Sequence, residues 1–155
     1  MRAFLLSTSL FALAACATDN NSVEAIQVSE SACFGACPIY ELTVTPDDHY
    51  QMDGRRFTRI NGYSEGDLAP GSYAQMQTLL ENANFFSQPE NYTFANPELC
   101  PGPQISDMPS ITISYTTRRN SHTVTWYQGC GAPVMRDLRD GLRDAFDYDE
   151  IVRPG

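Results

Sequence analysis

Cys33 and Cys37 stand on either side of Gly35, and Pro38-Ile39-Tyr40 comes directly after them. An extended chain would hold the two Cα atoms about 13 Å apart, whereas a disulfide spans at most about 7 Å. If the pair is bridged, residues 33–37 must turn back, and Gly35 is the residue that permits it. If it is not, two thiols four residues apart form a redox or metal site. No other short stretch of the chain carries so much chemistry, and the chain beyond Pro38 must leave it as an extended segment.

The residues after the cysteines fit that requirement. Tyr40, Leu42 and Val44 alternate with Glu41, Thr43 and Thr45, the period of a strand with one apolar face. Pro46-Asp47-Asp48 is a turn by composition, and His49 to Met52 returns as a second strand. Asp53-Gly54 then turns again, and Phe57 to Ile60 forms a third strand. Ahead of the cysteines, Ile26-Gln27-Val28 is expected as a short edge strand. Ser72 and Gln75 have the spacing of a capping box, opening a helix with Tyr73, Met76, Leu79, Leu80 and Ala83 on one face and ending near Phe85-Phe86. Residues 87–108 are proline-rich and irregular, and a connection so long implies pinning, which Cys100 within it supplies.

Ile111, Ile113 and Tyr115 alternate next, Arg118 to Ser121 turns, and Thr123 to Tyr127 completes a second hairpin. Pro133 suits a first helical position. Met135, Leu138, Leu142, Ala145 and Phe146 make the apolar face of a second helix, opposite Arg136, Asp137, Arg139, Asp140, Arg143 and Asp144, which read as a solvated face. Gly141 within it costs about 1 kcal/mol relative to alanine. The expected fold is α+β: an antiparallel sheet, built as a meander plus a second hairpin, with two helices packed on one face. Residues 26–151 form a single domain.

At the amino terminus, Met1-Arg2-Ala3 precedes an apolar run from Phe4 to Ala15, shorter than the roughly 20 residues needed to span a bilayer. The ending Leu13-Ala14-Ala15-Cys16 resembles the lipobox of bacterial lipoprotein signal peptides. That resemblance implies a signal peptide at 1–15, cleavage before Cys16, a diacylglyceryl thioether on its sulfur and a fatty acyl chain, such as palmitate, on its amino group. Residues 16–25 then serve as lipidated cysteine and flexible tether. Ala17 in place of Asp resembles the outer-membrane sorting pattern, so the expected location is the outer membrane, facing the periplasm.

The remaining cysteines, Cys33, Cys37, Cys100 and Cys130, are even in number, as disulfides in an oxidising compartment require. Four cysteines allow three pairings; Cys33 with Cys37 and Cys100 with Cys130 is the favoured one. On the loop-entropy relation the longer bridge would contribute roughly 3.7 kcal/mol and the shorter roughly 2. The formal net charge is −9, and one unit more negative without Arg2. Such a surface repels nucleic acid and anionic membranes, so the lipid is the expected membrane contact and nucleic acid is not a partner. An envelope protein or a small molecule remains as ligand.

Catalytic patterns are missing. There is no Gly-x-Ser-x-Gly elbow, no paired-histidine helix motif and no glycine-rich phosphate loop. Asp47, Asp48 and Asp53 lack the spacing of a calcium loop, and His49 and His122 stand alone. An enzyme is therefore not the expected reading, and no catalytic residue or cofactor is assigned. One alternative remains. Cys33-x-x-x-Cys37-Pro38 with the distant His122 resembles the copper signature of the Sco family, which implies copper held by Cys33, Cys37 and His122, or thiol-redox chemistry. In that thioredoxin-like fold the cysteines open a helix, whereas here a strand comes after them.

The domain as a whole resembles a bacterial family of unknown function found in small exported lipoproteins. The carrying residues are Cys33-Phe34-Gly35-x-Cys37-Pro38-x-Tyr40, Asp47-Asp48, Asp53-Gly54 and Asp107-Met108-Pro109. The resemblance implies a compact α+β domain and no particular activity. The expected protein is a lipid-anchored, disulfide-stapled binding or structural module of the cell envelope.

Overall fold

The computed structural model describes residues 23–103 and 105–154. The expected signal peptide at 1–15, the expected lipidation site Cys16 and most of the expected tether, residues 16–25, lie outside the described residues. Among the described residues seven strands form one sheet: β1 (Ala25–Glu30), β2 (Ile39–Val44), β3 (His49–Arg56), β4 (Gly62–Asp67), β5 (Asn91–Tyr92), β6 (Ser110–Thr116) and β7 (Ser121–Tyr127), in the order β4-β3-β2-β1-β6-β7-β5. Among the described residues three α-helices accompany it: α1 (Ser72–Asn82), α2 (Pro133–Ala145) and α3 (Tyr148–Ile151). The fold is α+β.

Period-two alternation explains the layering. Ile26 and Val28 of β1, Leu42 and Val44 of β2, Met52 of β3, Ile111 and Ile113 of β6 and Val124 of β7 are all buried on one face. Tyr73, Met76 and Leu80 of α1 and Met135, Leu138 and Leu142 of α2 complete the same core. The opposite face is polar, with Thr112 against Thr125 and Ser114 against Thr123 in hydroxyl pairs at 3.0 and 2.8 Å. Gly141 lies where α2 crosses α1. A Cβ there would stand 3.0 Å from Leu79 Cδ2, so its absence from the helix lets the two helices approach.

Residues 26–28 belong to the central strand, not an edge: β1 pairs with β2 through Val28 to Leu42 and with β6 through Val28 to Ile113. Asp53 and Gly54 lie within β3 rather than in a turn. A Cβ on Gly54 would meet Ile60 O at 2.1 Å, so the glycine serves a close backbone approach. Phe57 to Ile60 is correspondingly the β3–β4 connection, and the third meander strand is β4. The sheet is mixed, because β5 inside the proline-rich connection runs parallel to β7.

Helix α1 begins differently from the capping-box reading. Gly71 is its N-cap, in the left-handed region at φ 91°, and no side chain of its own segment caps it. Asp48, from the β2–β3 turn, does so instead, its carboxylate accepting from Gly71 N and Tyr73 N, each at 2.7 Å. The helix ends at Asn82, and Phe85–Ser87 is a separate 3-10 turn.

Candidate functional site: a cleft walled by the disulfide loop

The connection from β1 to β2 is the cysteine stretch itself. Glu30 pairs with Tyr40 at the last rung of the ladder, and between them Cys33 and Cys37 are joined by a disulfide with Cα atoms 5.8 Å apart. Gly35 sits at φ 154°, an angle that favours glycine, and its N–H donates to Cys33 O at 3.0 Å, tightening the turn. The loop is tied to the segment before β6: Phe34 N donates to Asp107 O at 3.1 Å, and Ser31 N to Ser110 O at 2.9 Å. Two stretches distant in sequence, Cys33–Tyr40 and Asp107–Pro109, thus meet at one end of the sheet.

Cys100 and Cys130 are joined as well, with Cα atoms 4.8 Å apart. Both are core residues, 3% exposed. This bridge pins the proline-rich connection where Trp126 Nε1 donates to Cys130 O at 3.0 Å and Ile105 N donates to Gly129 O at 3.3 Å. A Cβ on Gly129 would lie 2.0 Å from Ile105 O, so glycine is required by the close approach.

His122 does not join the cysteines. It pairs across from Tyr115, whereas the disulfide loop touches Ser110, so the two sites lie roughly 17 Å apart along β6 at about 3.4 Å per residue. Its Nε2 is bonded to Gln88 O at 2.8 Å, and Phe85 stands edge-on to its ring at 5.5 Å. Among the described residues, no three His, Cys, Asp or Glu side chains are grouped to hold a metal ion. His49 is elsewhere again, its Nδ1 3.1 Å from Asp67 Oδ1.

What stands beside the disulfide loop is an ionic cluster. Glu30 occupies the apolar phase of β1, after Ile26 and Val28, and is 4% exposed. A buried carboxylate demands partners. Arg143 of α2 supplies two of its nitrogens, Nε at 3.0 Å and Nη2 at 2.5 Å from Oε1, with Nη2 also 2.6 Å from Oε2. Tyr40 OH donates at 2.9 Å. The guanidinium lies 4.3 Å from the centroid of the Tyr148 ring, a cation–π contact. Burial, with the negative charge of Glu30 behind it, pushes the Tyr40 hydroxyl well above its ordinary pKa, so it remains a donor. Burial works against the charge of Arg143, but its hydrogen bonds to Glu30 and that carboxylate's charge outweigh it and leave its pKa raised.

Arg139 behaves similarly. It lies 5.4 Å from the Trp126 ring centroid and donates to Gln128 Oε1 at 2.6 Å. The polar side of α2 is therefore only partly a solvated face: Arg136, Asp137, Asp140 and Asp144 are exposed, while Arg139 and Arg143 are half-buried against the sheet. Arg139 Nε also donates to Asp140 Oδ1 at 2.7 Å. Position 30 held the clue in the sequence, a glutamate in the inward phase that Ile26 and Val28 set.

Between the loop and the helices lies an open cleft of about 660 Å³. Ala36, Cys37 and Pro38 form one wall; Arg143, Tyr148 and Arg153, with Asp140, Asp144, Asp147 and Asp149, form the other. Phe34 projects from the loop with 90% of its surface exposed. The walls carry both charge signs and one aromatic ring, which suits a polar ligand or a peptide segment better than an apolar small molecule.

Residues 24–146 match a family model described as a domain of unknown function (DUF6438). No curated protein matches the chain.

Proposed function

The chain belongs to the DUF6438 family, and from that premise we propose that it is a cell-envelope binding module, anchored through a lipid on Cys16 in the outer membrane and working through the cleft beside Cys33–Cys37. The orientation of β1 carries this reading. The chain enters β1 at Ala25, at one end of the sheet; the cleft is walled by Ala36, Cys37 and Pro38, in the loop that leaves β1 after Glu30, at the other. A domain tethered at the first end holds its cleft away from the membrane, toward the periplasm. The mixed-charge walls favour a polar ligand or a peptide of an envelope protein.

Two measurements test the two halves of the proposal. Metabolic labelling with palmitate and membrane fractionation should mark the wild-type chain and fail for Cys16→Ser; a Cys16→Ser chain that keeps label and membrane location overturns the anchoring. A photo-crosslinking residue at position 34 in living cells should give discrete adducts that Asp147→Arg removes. Adducts unchanged by that substitution would overturn the cleft as the binding surface.

A further inference from the structure

The two disulfides differ in a way their shared chemistry does not require. Cys100 and Cys130 are sealed in the core at 3% exposure each, whereas Cys33 and Cys37 are both partly exposed. Gly35 brings no side chain to cover the bridge; a Cβ built there would stand 3.7 Å from Cys33 Sγ. Cys37 belongs to the wall of the cleft, which gives an external nucleophile a route to it. The bridge also closes only four residues of separation against thirty for its partner, so the fold loses less stability when it opens. Neither strand depends on it for position: Glu30 and Tyr40 are held by the ladder and by Arg143, and Phe34 by Asp107.

We propose that Cys33–Cys37 is a thiol–disulfide exchange site that accepts two electrons from an external dithiol, while Cys100–Cys130 is a permanent staple. The thiolate of the dithiol attacks Cys37 Sγ from the cleft, the Cys33–Cys37 bond breaks, and Cys33 leaves as a thiolate that takes a proton from water. The second thiol of the reductant, deprotonated, attacks the mixed disulfide and releases Cys37 as a thiolate, which is protonated in turn. The reductant ends as a disulfide and the protein as a dithiol. His122 takes no part.

The test equilibrates the full chain in buffers of graded reduced-to-oxidised dithiothreitol, quenches with an alkylating reagent and maps the cysteine peptides, with circular dichroism monitored in parallel. Cys33–Cys37 should open at a ratio at least 100-fold less reducing than Cys100–Cys130 requires, with the folded spectrum intact. Opening of both bridges together, or opening of Cys33–Cys37 only as the fold is lost, overturns the proposal. Repeating the reaction with reduced thioredoxin and with Phe34→Ala identifies the source of the dithiol: a docked protein reacts more slowly with the variant, and a small dithiol reacts at an unchanged rate. A Cys37→Ser chain, which cannot form the bridge, should leave Cys100–Cys130 oxidised under every mildly reducing ratio; its reduction there would equally overturn the assignment of a permanent staple.

Discussion

Glu30 and Arg143 are 113 residues apart in sequence and share a bidentate contact, with Arg143 Nη2 2.5 and 2.6 Å from the two carboxylate oxygens. This pair locks the last rung of β1 to α2 directly beside the disulfide loop, so the geometry of the cleft rests on it. Buried ion pairs are costly to break and cheap to replace whole. Arg143→Met should therefore destabilise by about 3 kcal/mol in urea unfolding, because it strands a buried carboxylate. The double variant Glu30→Leu/Arg143→Met should lose less than the single one. A double variant that loses more would mean that Arg143 acts mainly through its packing on Tyr148.

Asp48 caps a helix to which it does not belong. Its carboxylate satisfies two amides at the start of α1, so Asp48→Ala should cost about 1–2 kcal/mol and speed hydrogen exchange at Tyr73 N. Ser72→Ala, costly on a capping-box reading, should cost less than half as much, since no side chain of that segment caps the helix. Equal losses would restore Ser72 as the cap.

The bridges should differ in thermodynamic weight. Cys100→Ser is expected to cost about 3–4 kcal/mol and Cys37→Ser about 2 or less, in keeping with the lengths of the loops they close. Guanidinium unfolding under oxidising conditions measures both, and the reverse order would show that the short loop carries the staple.

His49 sets a local pH dependence. Its hydrogen bond to Asp67 raises its pKa above the ordinary 6.5, aided by the charges of Asp67, Glu65 and Asp47 against partial desolvation. The protonated ring is thus favoured in the folded protein. Its stabilising contribution is fully present below about pH 6.5 and is lost as pH rises through the raised folded value. An NMR titration should place the His49 midpoint above 6.5 and Asp67→Asn should return it toward that value; a midpoint unmoved by the substitution would remove Asp67 as the cause.

Gly54 is a packing position. Gly54→Ala should destabilise by about 3 kcal/mol, because its methyl would meet the backbone of Ile60 inside ordinary contact distance. A melting temperature within error of wild type would mean that the β3–β4 connection gives way freely.

Much of this molecule was legible before any coordinates. Alternation located β2, β6 and β7, and helical spacing located α1 and α2, because each of these elements buries a face with a clean period. Strands whose glycines break the pattern were misread: Asp53-Gly54 looked like a turn because glycine's role there is to admit Ile60, a residue that no local window pairs with it. β5 escaped notice because two residues carry no period. The place of β1 was invisible for a different reason, since a short alternating run looks alike at the edge and at the centre of a sheet.

The sequence by itself determined the chemistry available to this protein: four cysteines beyond Cys16, an acidic chain, and an apolar content that supports one α+β core. Tertiary structure decided which groups meet. It brought Glu30 to Arg143, Asp48 to the start of α1 and Phe34 to Asp107, and left His122 at the far end of the sheet from the cysteines. Local periodicity records which face a side chain takes, because burial acts on each element separately. Contacts between elements depend on strand order and helix placement, and these arise from the packing of the whole core.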